Sequence, residues 1–418
     1  MNKATAFLFF TLTALGAVFF VVAPISARTV FVRSGGAGEA QPASVFFIES
    51  SKPEVLKQTV AMVGANTRKL RILVVSGHDN EFFGTQYKNV KEASMTLPLG
   101  LELARLLSQD EKFEVILSRD DNGYTPELAY YFKEKKPEIL DFVSAKKKIM
   151  NDLEAVGRVS LKTDGVYHND APSPVVVRLY GINKWANENN IDLVIHVHFN
   201  DYPRRKKASP GDYSGFSIYV PEHQFSNARS SKAIADAVSK QLQTYYPPSN
   251  MPKEGQGVGV VEDQDLIAIG AFNTLDPAAL LIEYGYIYEP QFLNPTIRSK
   301  VIQDLATQTY VGIHNFFGGS LPSLAGKYNT SLLPHTWRDV VAAGVQHNLS
   351  VLSLQAALVI EGVFPPEEFD EHACPLAGTY GACTRKSLTL FQQKYNLDDV
   401  SGKLGRETIE KLNELYGE

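Results

Sequence analysis

Cysteine is almost missing from this chain of 418 residues, with Cys374 and Cys383 the only two. So sparse a supply excludes a framework of several disulfides and a metal site built on thiolates. The pair, close together in CPLAGTYGAC, reads as a local disulfide formed in an oxidising compartment. Excess positive charge is missing too. Lys and Arg number 41 against 46 Asp and Glu, a formal net charge of -5, so the chain as a whole has no attraction for nucleic acid or anionic lipid. Beyond the N-terminus there is no apolar run long enough to span a bilayer. What remains is ordinary globular material, 44% hydrophobic and 21% charged, in a length that suggests two or three domains.

The first residues, MNKATAFLFFTLTALGAVFFVVAPISAR, join a basic start at Lys3 to an uncharged apolar run and a small residue, Ala27, before Arg28. Residues 1–27 are expected to be an export signal, either cleaved after Ala27 or retained as an N-terminal membrane anchor. Both place the bulk of the chain in the periplasm, the cell wall or the extracellular space. Residues 28–68, with TVFVR and SGGAGEAQPAS, read as a spacer and lead-in.

From Lys69 the pattern becomes regular. RKLRILVVSGHDN is a buried strand ending in a glycine turn, TLPLGLELARLLSQ has helical spacing, and FEVILSRDD is a second strand. After residues 121–180, irregular and rich in Lys, Tyr and Pro, the alternation resumes: helix INKWANENN, strands IDLVIHVHF and GFSIYVP, helix SSKAIADAVSKQLQTY, strand AALLIEYGYI and a terminal helix to Phe317. This order predicts a three-layer α/β domain over 69–317 with a mostly parallel sheet, 121–180 being an insertion on one face. Residues 318–334 read as a linker by composition, and 335–418 as a small, mainly helical domain that a disulfide would help to stabilise.

In an open α/β sheet, reacting groups gather at the carboxyl ends of strands. The polar residues found there are His78, the pair His196 and His198, and Glu283, with Glu92 just ahead of the first helix. A hydrolytic zinc takes three ligands of this kind, and a further carboxylate can carry the proton. Each residue also has a plainer reading. His78 suits a strand-tip loop or helix cap, and Glu92 is favoured near a helix N-terminus by the dipole alone. Glu283, closing an apolar run, requires a charge partner, a metal or solvent. His196 and His198 share one strand face. One ligand and one bystander, two ligands, or two packed residues all fit that spacing.

The ordered segments ILVVSGHDN, KEASMTLPLGLELARLL, FEVILSRDD, WANENNIDLVIHVHFN and PAALLIEYGYI resemble zinc-dependent N-acetylmuramoyl-L-alanine amidases of the amidase-3 type, over roughly residues 70–317. The resemblance implies zinc held by His78, Glu92 and His198, with Glu283 as the catalytic acid and base. The family's Ser-x-His-x-Asn pattern appears as His196-Val197-His198-Phe199-Asn200, so His196 stands where a serine is usual and becomes a candidate oxyanion donor or a partner of a ligating carboxylate. Its Asp-Pro-Gly-His-Gly-Gly turn has become Val75-Ser76-Gly77-His78-Asp79-Asn80. Asp79 is a candidate to orient a ligand or else a solvated turn residue, and Asn200 a candidate support behind the metal.

LSLQAALVIEG, GTYGACTRKSLTLFQQKYNL and SGKLGRETIEKLNELY in turn resemble small helical peptidoglycan-binding domains. There Leu354, Leu388, Phe391 and Leu412 read as core, and Gln355 and Gln392 as loop braces or glycan contacts. The implied reaction is hydrolysis of the amide between N-acetylmuramic acid and the L-alanine of the stem peptide in peptidoglycan. Two alternatives share these residues: a non-catalytic wall-binding protein with a degenerate amidase domain, and a zinc peptidase cutting within the stem.

Overall fold

The computed structural model describes residues 47–64, 68–162, 165–166, 171–202, 205–254, 257–318 and 326–418. The expected export signal or anchor and TVFVR lie outside them. No helix among the described residues is long and apolar enough to cross a membrane.

Helix α1 (Pro53–Ala61) comes first, and its Leu56 and Val60 enter the main core. The end of the expected spacer is therefore part of the packed domain. Strand β1 (Leu70–Ser76), helix α2 (Ala93–Ser108) and strand β2 (Phe113–Leu117) follow in the order expected. Next come helices α3 (Pro126–Glu134), α4 (Lys136–Ala155) and α5 (Ser173–Glu188). The remaining elements of the sheet domain are β3 (Leu193–Asn200), β4 (Ser217–Pro221), α6 (Ala228–Leu242), β5 (Val260–Asp263), β6 (Ala278–Tyr286) and α7 (Pro295–Phe317).

The six strands lie in the order β2-β1-β3-β6-β4-β5. The first four are mutually parallel, β4 runs antiparallel to β6, and β5 runs parallel to β4. Among the described residues no helix separates β3 from β4, and the chain returns in the opposite direction instead of crossing over. Side chains alternate between two covered faces, which is why the central strands read as almost continuous apolar runs. Ile72, Val74, Ile195 and Leu280 pack beneath α2, α6 and α7; Leu73, Val75, Val194 and Leu281 pack beneath Ile182, Trp185 and Ala186 of α5.

Residues 121–180 are not irregular. Those that the structure describes are largely helical, and the insertion ends where α5 begins at Ser173. Only Ile139, Val143 and Met150 of α4 are buried, a narrow stripe in a Lys-rich helix. Ile139 and Val143 pack on Tyr180 of α5, so α4 forms an outer layer. Strand β5, missed in the sequence, is a short run of four residues at the sheet edge.

The C-terminal part contains α8 (Leu349–Ile360), α9 (Ala382–Lys394) and α10 (Arg406–Tyr416), and Cys374 and Cys383 form the expected disulfide. Leu354, Leu388, Phe391 and Leu412 are core residues. Gln355 and Gln392 make the same three bonds one repeat apart. Gln355 accepts from Gly378 N and donates to Thr379 O and Thr384 Oγ1. Gln392 accepts from Gly402 N and donates to Lys403 O and Thr408 Oγ1. Both glutamines thus brace loops. The far end of the expected linker is docked: Asp304 of α7 accepts from Ser331 N at 2.9 Å and from Thr330 Oγ1, and Leu332 and Leu333 are buried.

Candidate active site

The parallel register builds the site. Ser76 at the end of β1 pairs with Val197, so the following Gly77 lies beside His198. Gly77 N donates to Val197 O at 2.9 Å. A Cβ on Gly77 would come within 2.4 Å of the His198 ring, so glycine is needed for the strand end to approach it. His78 then takes φ +61°, a left-handed conformation that a non-glycine residue holds only where its surroundings enforce it.

Glu92, immediately before α2, is buried and lies between the two imidazoles. Its Oε2 is 3.0 Å from His78 Nε2, and its Oε1 is 3.0 Å from His198 Nδ1. Backbone groups aim the carboxylate: Thr85 N donates to Oε2 at 3.0 Å and Phe199 N to Oε1 at 3.2 Å. Gly84, which drew no attention in the sequence, closes this cage with φ +74°. A Cβ there would sit 2.2 Å from Glu92 Oε2 and 2.5 Å from His78 Cδ2.

Burial alone would disfavour the charge on His78, but the Glu92 carboxylate outweighs it and raises the imidazole pKa. For Glu92, burial is likewise the largest influence, and the two histidines together overcome it, holding the carboxyl well below the usual range. Burial wins at His198, whose pKa is lowered despite Glu92. One ligand atom from each of His78, Glu92 and His198 lies within 4.8 Å of the others. Zinc bonds to nitrogen and oxygen of about 2.0–2.1 Å imply a tetrahedral edge of about 3.3 Å, close to the separations around Glu92. The donor set and its spacing fit zinc.

Glu283 stands opposite His198 on one side and Ser217 on the other, so the strand period brings it to the same face of the sheet as the cluster. Its Oε2 is buried without a hydrogen-bond partner. Burial, reinforced by the Glu92 and Glu254 carboxylates, raises its pKa well above the ordinary value. Glu254, in a single turn of 3-10 helix, is the site's unforeseen residue. It is 2% exposed. Asn200 Nδ2 and Tyr219 OH donate to its Oε1 at 2.6 and 2.8 Å; Ser217 Oγ, Ser249 Oγ and Tyr286 OH donate to its Oε2 at 3.1, 2.6 and 2.6 Å. Nothing in the polar stretch MPKEGQG distinguishes this glutamate from an exposed one.

Three expectations are corrected. His196 lies behind His198, ring centroids 6.4 Å apart, fully buried and with no hydrogen-bond partner on either ring nitrogen. Burial, then His198, pushes its pKa down to about 3, so the ring is neutral and bonds to no carboxylate. Asp79 is not solvated: its Oδ1 accepts from Glu81 N and Phe82 N, and its Oδ2 pairs with Arg178 at 2.7 Å. It folds the loop that follows His78. Asn200 braces Glu254 and touches no ligand.

A second His and carboxylate group, Glu222, His223 and Glu262, lies at the opposite end of the sheet. Lys162 Nζ stands 3.4 Å from Glu222 and 3.7 Å from Glu262 and supplies its counter-charge. It reads as an ion-pair network.

Comparison with known proteins points to one family for the sheet domain. Residues 72–315 match the amidase-3 family model, described as N-acetylmuramoyl-L-alanine amidase, and residues 347–412 match a peptidoglycan binding domain. Similar solved structures include the N-acetylmuramoyl-L-alanine amidase from Clostridium difficile 630, at 17% identity, covering 61% of this chain and 100% of that one, with a TM-score of 0.38. Ami1 from Mycobacterium smegmatis is 16% identical, covering 60% and 98%, with a TM-score of 0.37. AmiC2 of Nostoc punctiforme is 16% identical, covering 60% and 99%, with a TM-score of 0.36. No curated protein matches the chain. With the family model spanning more than half of its length, the chain belongs to the amidase-3 family of N-acetylmuramoyl-L-alanine amidases, enzymes that hydrolyse the amide between N-acetylmuramic acid and L-alanine in peptidoglycan.

Proposed function

We propose that this amidase works with a zinc ion held by His78, Glu92 and His198, and that Glu283 is its catalytic acid and base. The observation that carries the reading is the buried, unpartnered Oε2 of Glu283, opposite His198 in the sheet, beside a two-histidine, one-carboxylate cluster. When bound, zinc supplies Lewis acidity that polarises the scissile carbonyl and activates water. Glu283 accepts the proton of the attacking water and hands it to the departing amine of L-alanine. A carboxyl whose proton affinity is raised by burial and by two neighbouring carboxylates suits the second transfer, because it holds the proton until the amine is there to take it. Glu254 keeps Asn200, Ser217 and Tyr286 fixed around that group.

The N-terminal residues 1–27 direct the enzyme out of the cytoplasm, and the C-terminal module holds it on its polymeric substrate. The test is incubation of purified protein with intact peptidoglycan, with and without a zinc chelator, followed by mass spectrometry of the fragments. New L-alanine amino termini that disappear with chelator and return with zinc are expected. Full activity in protein freed of zinc would overturn the zinc assignment.

A further inference from the structure

The two first proposed ligands stand on separate pieces of backbone, His78 on the turn after β1 and Glu92 at the head of α2. One side chain grips both. Arg119, two residues past the end of β2, is 3% exposed. Its Nε donates to Ser76 O at 3.0 Å, and its Nη2 lies 3.3 Å from Gly77 O, 3.2 Å from Ala93 O and 3.1 Å from Thr96 Oγ1, donating to all three. Thr96 Oγ1 in turn donates to Gly77 O at 2.6 Å. The residue before His78 and the residue after Glu92 are therefore joined through one guanidinium.

All four acceptors are carbonyl or hydroxyl oxygens. Among the described residues no carboxylate hydrogen-bonds the buried guanidinium, and burial outweighs the more distant Asp79 and Asp121 charges, so this is an expensive way to fill space; an apolar side chain of similar volume would serve stability at least as well. What the guanidinium offers is a rigid planar fork whose donors fix several oxygens at set separations. That is needed here, because the turn Val75-Ser76-Gly77-His78-Asp79-Asn80 carries a left-handed histidine, a conformation that persists only when over-determined by its surroundings.

We propose that Arg119 is a positioning residue that fixes His78 relative to Glu92 and so pre-forms the zinc centre. The inference rests on the zinc reading above. The test compares the full-length wild type with Arg119→Lys, Arg119→Met and Thr96→Val, reading zinc affinity by competition with a chromogenic chelator and melting temperature with and without zinc. Lysine keeps the charge and loses the fork, so zinc affinity is expected to fall about 10- to 100-fold, the range for partners that orient metal ligands. Thr96→Val should lower affinity less, and the double variant Arg119→Lys/Thr96→Val should lose less than the sum, since both groups act on Gly77 O. The rise in melting temperature on adding zinc should shrink in step.

Should Arg119→Met fail to fold, Arg119→Lys and Thr96→Val decide the matter. Folded variants that bind zinc as tightly as the wild type would overturn the proposal. So would a loss of melting temperature that is equal with and without zinc, which marks a purely structural role. A wild type that binds no zinc overturns the zinc reading and this inference together, whereas a zinc-loaded wild type with unaffected variants overturns this inference alone.

Discussion

Two buried glutamines of the C-terminal module and one buried carboxylate oxygen of the catalytic centre are treated in opposite ways. In the module, Gln355 and Gln392 each accept one backbone N–H and donate to a carbonyl and a threonine hydroxyl. In the centre, Glu283 retains a buried oxygen without a donor. Unsatisfied buried groups are uncommon in folded proteins and call for a reason. The contrast supplies one: the glutamines hold loops closed, and Glu283 stays open for a proton that arrives with the substrate. Glu254, with five donors, shows that the catalytic domain can satisfy a buried carboxylate fully.

The largest effect should come from dismantling the open side. His198→Ala is expected to lose both bound zinc and peptidoglycan hydrolysis, measured by metal analysis and by release of L-alanine amino termini; retention of either would reassign the ligand. Glu283→Gln keeps the shape and removes the acid and base. Turnover should fall about 10²- to 10⁴-fold with zinc content unchanged. If zinc is lost along with activity, Glu283 is a ligand and the contrast fails.

The closed side should respond in stability only. Gln392→Leu strands Gly402 N and Thr408 Oγ1, and denaturant unfolding should report a loss of about 1–3 kcal/mol with zinc affinity untouched. The smallest effect concerns pH in metal-free protein. Because Glu92 outweighs burial and raises the folded-state pKa of His78 above the ordinary value of about 6.5, this imidazole binds its proton more fully in the folded protein than in the unfolded chain just above pH 6.5. His78 therefore stabilises below that value, and its contribution is lost as pH rises through the folded pKa. His196 and His198, whose pKa values are lowered, act in the opposite sense, so the contribution is read by difference: the melting temperature of metal-free wild type minus that of His78→Gln should fall across this window.

Much of this was legible in the sequence, for physical reasons that also mark the limits. Apolar runs located the strands, polar residues at their tips drew attention because strand ends in an α/β sheet converge, and the resemblance of the ordered segments to amidases picked out the proposed ligands and Glu283. Helix α4 escaped notice because only three of its side chains are buried, leaving almost no apolar stripe. Glu254 was invisible because its five partners, from Asn200 to Tyr286, come from separate parts of the chain. His196 misled for the opposite reason: its place on the ligand face was right, but a shared face says nothing about whether a ring nitrogen has a partner. Arg119 looked like one more charge in SRDD, and its fork acquires meaning only when β1, β2 and α2 stand together.

Gly84 carries a consequence for recognising such enzymes. Any side chain there would collide with both Glu92 and His78. A relative could keep every proton-bearing and coordinating residue, lose only this hydrogen-sized position, and present an intact signature over a collapsed centre. The least chemical residue of the loop is thus a better forgery test than the histidines themselves.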